Sequence, residues 1–591
     1  RDSSTSRGLG DVYKRQVMKI KGLLFGLFAC AALAACTNDD IVENNGKGEQ
    51  EKVKGNLTLV IAASNNSSRA AEDGDETDGG TTAESKVNSV LVVLAPVNSE
   101  GAFNGDQIVE SVAGTALQKT TIGGNVAYVA PTFQLNANGE YKVLVVANPN
   151  QGIIDAVTNA NPTEKYAAVE NYAYSYTGTG TNEMVGTDEV PSFMMVNQTE
   201  STVNVESNNK DNPTTVTVNV ERIASKITFV PATMTAGDNT YSNRYAVKVV
   251  TGQKEVAETR EGYRMEGGVG YHMTGLNKAK LLSDNSTIWI QNGERAFTQT
   301  GNKYQGTELY IYELITMPAQ NEFDYVWKTN SNTEKNWYVQ LDDYALVNLS
   351  KGVYAVRHLA NSDFSATKTF GLLDATYRWV LDPNTVAKND ENTSSIAGDY
   401  FYNKVADVQK AEKDYATDQT PESYANYFSA LPTTAKEGQD GKIGTRLAYC
   451  LENVVKVDNQ LPAMVTGIIF RAQIYNENHQ AMGTIYKCGD SYYTTLEQMY
   501  SEHPGTTEFE TYNSGKCYYY SSDIMHSSDD SYMKKVIMRN NVYVLSVKSF
   551  TDMGSAEVTI PDGSEDHDEN FYLKLTSTIL PWQVRFNNIE F

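Results

Sequence analysis

At 591 residues the chain is long enough for several domains, and 49 Lys and Arg against 73 Asp and Glu give it a formal charge of −24. That balance argues against the basic footprint that nucleic acid requires and against electrostatic docking on anionic lipid. Apolar residues make up 40%, Tyr alone fills 37 positions and Pro only 15, so the composition is that of a globular chain, and abundant Tyr, Val and Thr make it mainly β.

Residues 1–17 are polar and precede Met18, the natural start, so they are read as an artefact of translation or assembly. In 18–35, Lys19 and Lys21 lead into an apolar stretch that is too short to span a bilayer and reads as a secretory signal peptide. It ends Leu33-Ala34-Ala35-Cys36, which resembles the lipobox of bacterial lipoproteins and implies that Cys36 is the acylated N-terminus of an outer-membrane precursor. Residues 37–54 are polar and tether-like. Leu57, Leu59 and Ile61 then alternate on one face of a strand. Arg69 stands alone between Lys54 and Lys86, in a polar stretch ending in an acidic run, the kind of exposed loop that proteases cut.

From Lys86 onward the chain alternates apolar and polar residues. Residues 87–97, 125–135, 141–150, 191–200 and 214–230 are predicted strands, and Asn161-Pro162-Thr163-Glu164 is predicted to open a short helix. Strands between Gly, Asn and Pro turns point to a sandwich. Further on, 400–424 has helical composition, and the segments around Tyr486, Tyr519 and Val544 return to strand patterns. Near the C-terminus Phe571, Leu573, Leu575 and Ile579 share one face. After Pro581, which breaks the run, Trp582, Val584 and Phe586 share the next.

Signals for chemistry are few. None of the six His lies in HExxH or in zinc-ligand spacing with Cys, and no nucleophile elbow, P-loop or dinucleotide fingerprint occurs. No catalytic residue, metal or cofactor is therefore expected, although composition alone does not exclude a secreted glycosidase. His503, His526 and His567 are expected to be solvated. Tyr172, Tyr174 and Tyr176, and Tyr518, Tyr519 and Tyr520, either stack on sugars or pack across strands. Cys488 and Cys517 either pair or, with Cys450, pack as buried thiols.

Several blocks together resemble the type V pilins, the major fimbrium subunits of the Bacteroidales, and the short-fimbria subunit in particular. They are the lipoprotein signal, a strand followed by Ser67-Ser68-Arg69-Ala70-Ala71, and the stretch Val218 to Lys226. Two more are Met538 to Phe550 and Ile579-Leu580-Pro581-Trp582-Gln583-Val584, all in the family's order.

The resemblance implies two transthyretin-like β-sandwich domains with short helical insertions. It divides the chain into a lipidated propeptide at 36–69 with a severable strand and an N-terminal domain at 70–218. The C-terminal domain is 219–591, with a helical insertion near 388–435 and a donor strand at 571–591. It further implies that an arginine-specific surface protease cuts between Arg69 and Ala70, that the strand of Leu57, Leu59 and Ile61 leaves, and that another subunit's C-terminal strand replaces it. The expected partners are other copies, accessory fimbrial subunits and an adhesion receptor on host or bacterium, with the product a cell-surface fimbrium. Alternative roles are a tip or accessory adhesin of the same superfamily, or a surface glycan-binding lipoprotein. Removing residues 1–69, which carry +3, leaves −27 on 70–591, so copies repel and assembly should rest on strand insertion and not on charge pairing.

Overall fold

The computed structural model describes residues 55–63, most of 84–252, short strands between 263 and 315, most of 333–559, and 573–581. Cys36, Arg69, Ala70, Phe571, Trp582, Val584, Phe586 and His567 lie outside the described residues, as do the artefact segment 1–17 and the signal peptide 18–35.

The first region is one ten-stranded sheet. In chain order its strands are β1 (Gly55–Ala63), β2 (Ser89–Pro96), β3 (Ile108–Ala113), β4 (Gln118–Ile122), β5 (Asn125–Val129) and β6 (Phe133–Leu135). They continue with β7 (Gly139–Ala147), then β9 (Met195–Asn197), β10 (Ser201–Val205) and β11 (Thr214–Arg222), while β8 (Ala173–Ser175) pairs elsewhere. Spatial order runs β3-β2-β7-β9-β11-β1-β5-β4, with β10 on β7 and β6 on β1. The strands are near-continuous Val, Leu and Ile runs because both faces are covered. In β2, Val90 to Ala95 are all buried, and in β7 Val143 to Ala147 are too. Their side chains form one core with Leu57, Leu59 and Ile61.

Two helices follow β7. The predicted strand through 150 stops at Ala147, because Asn150 begins α1 (Gln151–Asn159): its side chain accepts the Ile153 N–H at 2.9 Å, an N-cap. The predicted helix start at 161–164 leads directly into α2 (Lys165–Glu170). Chain reversal at Asn148 needs a φ of +50°, which Asn tolerates.

The second region is a β-sandwich. Its smaller sheet has β12 (Ser225–Phe229) between β16 (Thr445–Cys450) and β19 (Asn541–Phe550), with β20 (Leu573–Pro581) at the far edge. Its larger sheet includes β13 (Arg244–Thr251), β14 (Thr333–Val347), β17 (Gly467–Tyr475) and β18 (Lys516–Ser521). Ile227, Phe229, Tyr543 and Leu545 from the small sheet meet Trp337, Val339, Ile468 and Phe470 from the large one in a single core. Helix α3 (Val405–Asp418) falls within the segment read as a helical insertion, and it rests on β18 where the Tyr518 hydroxyl donates to Glu412.

The expected run 214–230 is two strands, broken at Ile223 and Ala224. Position 218/219 lies inside β11, which belongs to the first sheet through Arg222, while β12 opens the second at Ser225. The regions also share a short ladder, β8 against β15 (Gly352–Tyr354), with Tyr174 opposite Val353.

One expectation needs correction, and two open alternatives are decided. His526 is 4% exposed and its ring lies 3.0 Å from the Tyr543 hydroxyl, so it is a core residue and not a solvated one. Tyr518, Tyr519 and Tyr520 are buried in β18 and pack across strands, which leaves no ring face for a sugar. Cys450, Cys488 and Cys517 are free, buried thiols, so Cys488 and Cys517 do not pair.

Candidate functional site

Two places in the fold carry the sequence blocks singled out above: the slot that β1 fills, and the junction between the regions.

β1 is an interior strand. On one side it runs parallel to β11, from Leu57 opposite Thr214 to Ala63 opposite Val220. On the other it runs antiparallel to β5 (Val60–Ala62 against Val129–Ala127) and to β6 (Gly55–Leu57 against Leu135–Phe133). Leu57, Leu59 and Ile61 are at most 1% exposed, and burying each is worth about 1.5–3 kcal/mol. Polar groups pin the start of the strand: the Asn56 N–H donates to Asn208 Oδ1 at 2.7 Å, and Asn208 Nδ2 donates back to the Asn56 carbonyl at 3.0 Å. Thr58 and Thr132 hydroxyls meet at 3.0 Å. Without β1 the sheet would be cut in two, with unpaired backbone along β11 on one side and along β5 and β6 on the other, and an apolar trough between them.

β20 sits differently. It pairs antiparallel with β19 alone, from Leu573 opposite Phe550 to Pro581 opposite Asn541, across a bulge between Val547 and Ser549. Thus Leu573, Leu575 and Ile579 lie on a strand of their own subunit's sheet, at its edge.

The junction is built from charge. Arg222 Nε donates to the Glu84 carbonyl at 3.1 Å, Lys226 Nζ lies 3.2 Å from Glu84 Oε2, and the Tyr449 hydroxyl donates to Glu84 Oε1 at 2.7 Å. Arg357 pairs with Glu221, whose carboxyl pKa burial raises and the Arg357 and Arg539 guanidinium groups draw back down. Arg539 makes a two-pronged bond to Glu452 (2.8 and 2.7 Å), and its NH1 also donates to the Ala355 carbonyl at 2.8 Å. The charged side chains among these are all buried and Tyr449 is half-buried, so each charge needs its partner. The Asn540 N–H donates to the Ala224 carbonyl at 2.8 Å, and Ser225 bonds the Met538 carbonyl. The blocks 218–226 and 538–550, far apart in sequence, therefore meet here. Sequence reasoning noted both blocks but missed the ion pairs, and the visible signal was Glu221-Arg222 and Lys226 set among apolar neighbours.

Residues 510–588, which include β18, β19 and β20, match the model described as major fimbrial subunit protein type IV, fimbrillin, C-terminal. The match agrees with the fimbrial-subunit resemblance that the sequence blocks carry. Among curated proteins none matches the chain. Among solved structures, a fimbrilin from Porphyromonas gingivalis W83 is similar at 12% identity and a TM-score of 0.37, covering 90% of this chain and 99% of that one. A tip fimbrial protein from Porphyromonas gingivalis with a C-terminal truncation is similar at 9% identity and a TM-score of 0.31, covering 90% of this chain and all of the other.

Proposed function

We propose that the chain is a structural subunit of a cell-surface fimbrium, without enzymatic activity, that polymerises by exchange of one strand for another. The precursor is acylated at Cys36 and held in the outer membrane. An arginine-specific surface protease cuts between Arg69 and Ala70. β1 then leaves with its lipid, and the C-terminal segment 571–591 of another copy fills the slot.

The observation that carries this reading is the position of β1: buried, paired on both sides, and joined to the rest of the chain through the stretch that contains Arg69. A strand so placed is costly to lose, so a chain that loses it has a strong drive to accept a replacement. Glu84, held by Lys226 and Tyr449, keeps the chain beyond the cut fixed to the junction. One surface meets a different surface of the next copy, so the assembly is an open filament and not a closed ring. Accessory fimbrial subunits enter the same filament, and adhesion to a host or bacterial receptor is its outward task.

The test is Arg69→Ala expressed in the native cell. The expected product is a surface-bound, full-length lipoprotein and no fibres. Normal fibres from the variant would show that the cut lies elsewhere or is not needed.

A further inference from the structure

We propose that Lys388 and Asn453 join in an intramolecular isopeptide bond, formed once per chain with loss of ammonia and assisted by the carboxyl group of Asp382.

The three side chains meet in the interior, away from both the slot of β1 and the ion pairs of the junction. Lys388 ends a short helix, Thr385–Lys388, and Asp382 follows the strand Trp379–Leu381. Lys388 Nζ donates to Asp382 Oδ2 at 2.7 Å and to Asn453 Oδ1 at 2.8 Å. All three residues are at most 2% exposed, and the Phe401 ring lies 5.6 Å from the ammonium. Burial pushes the Lys388 pKa below its ordinary value, and the Asp382 carboxylate draws it back only in part. An amine desolvated in this way is a nucleophile once it gives up a proton.

Every group is held in place. Asp382 Oδ1 accepts the Asn384 N–H at 2.8 Å, and Oδ2 also accepts the Val454 N–H at 2.9 Å. The backbone of Asn453 exchanges both hydrogen bonds with Ile537, each at 3.0 Å. Asn453 Nδ2 donates to the Met464 carbonyl and to the Thr466 hydroxyl, each at 3.2 Å. The nitrogen that would leave is thus turned towards acceptors while the carbonyl oxygen faces the amine. With a C=O bond of about 1.2 Å, an amine 2.8 Å from Oδ1 lies no more than about 4 Å from Cγ. Attack needs about 3–3.5 Å, so only a small shift separates the two.

The chemistry balances without any other reagent. Asp382 takes one proton from the Lys388 ammonium, and the freed electron pair forms the Nζ–Cγ bond. Asp382 passes that proton to Nδ2 as the Cγ–Nδ2 bond breaks and ammonia departs. It then takes a second proton from Nζ, which keeps one as the amide N–H. An ammonium and a carboxylate, both costly to bury, become a neutral amide and a neutral carboxyl group. The new bond closes a loop around 389–452, which holds α3 and β16, and a closed loop restricts the unfolded chain.

Intact-mass measurement of the folded mature subunit, followed by digestion and peptide sequencing, tests this and needs no fibres, so its outcome is separate from that of strand exchange. The expected mass is one ammonia below the sum of the residues, with one peptide pair joined through Lys388 and Asn453. Asp382→Asn, which keeps amine and amide, should retain the ammonia and give two separate peptides. A wild-type subunit of full residue mass, with Lys388 and Asn453 in separate peptides, would overturn the proposal and leave an ordinary buried ion pair. Loss of ammonia with those peptides still separate would overturn it too. A joined pair in Asp382→Asn would contradict the part assigned to Asp382.

Discussion

β1 and β20 are both nine-residue strands, yet one is held on two sides and the other on one. β1 lies between β11 and the pair β5 and β6, with three side chains sealed in the core. Within its sheet β20 pairs only with β19, so its departure would leave β12, β16 and β19 paired as before. A strand at an edge is the cheaper one to give and an interior slot is the more costly one to leave empty. The fold thus has an asymmetry suited to transfer from the C-terminal end of one copy to the N-terminal region of the next.

The sharpest way to break that comparison is to damage each side in turn. Leu59→Ala in the precursor should destabilise the first region by about 2–5 kcal/mol, because the residue is fully buried and the site cannot collapse between two bonded strands. Denaturant titration measures it. Arg539→Ala should cost about 3–5 kcal/mol in the same assay, since it leaves Glu452 buried with its main cation gone. A loss below about 1 kcal/mol in either variant would mean that the slot or the junction is less tightly built than its burial indicates.

Deleting 571–591 should do much less to the monomer and more to assembly. The expected result is a retained cooperative thermal transition together with complete loss of fibres. An unfolded product would mean that β20 is essential to its own sandwich, and the contrast between the two strands would fall. Asn150→Ala removes one helix cap and should cost about 0.5–2 kcal/mol without touching assembly, which makes it a control for mild destabilisation. Smallest of all should be the effect of thiol reagents on the folded mature subunit. Burial pushes Cys450 and Cys517 up to about 12, so both stay protonated and hidden at neutral pH and should label only after unfolding.

Local pattern carried much of this. Alternation at Leu57, Leu59 and Ile61 gives β1, and the Pro581 break marks where β20 ends. Helical composition around 400–424 gives α3. What local pattern does not carry is partnership. Nothing in 55–63 says that it runs parallel to 214–222, or that 573–581 folds back on 541–550, because period-two alternation fixes a face but not a neighbour. The helix α1 was hidden because Asn148-Pro149-Asn150-Gln151-Gly152 reads as a turn, and within it only the Asn150 cap marks a helix start. His526 reads as a loop residue from its polar neighbours, and it is the distant Tyr543 hydroxyl that makes its burial tolerable.

The central claim is that β1 leaves and another strand takes its place. Hydrogen exchange with mass spectrometry on native fibres tests it directly. The account predicts subunits that begin at Ala70 and contain no 55–63 peptide, while the amides of Thr214–Val220 stay as protected as in the uncleaved precursor. Fibres whose subunits still hold 55–63, or cleaved subunits in fibres whose 214–220 amides exchange freely, would contradict it.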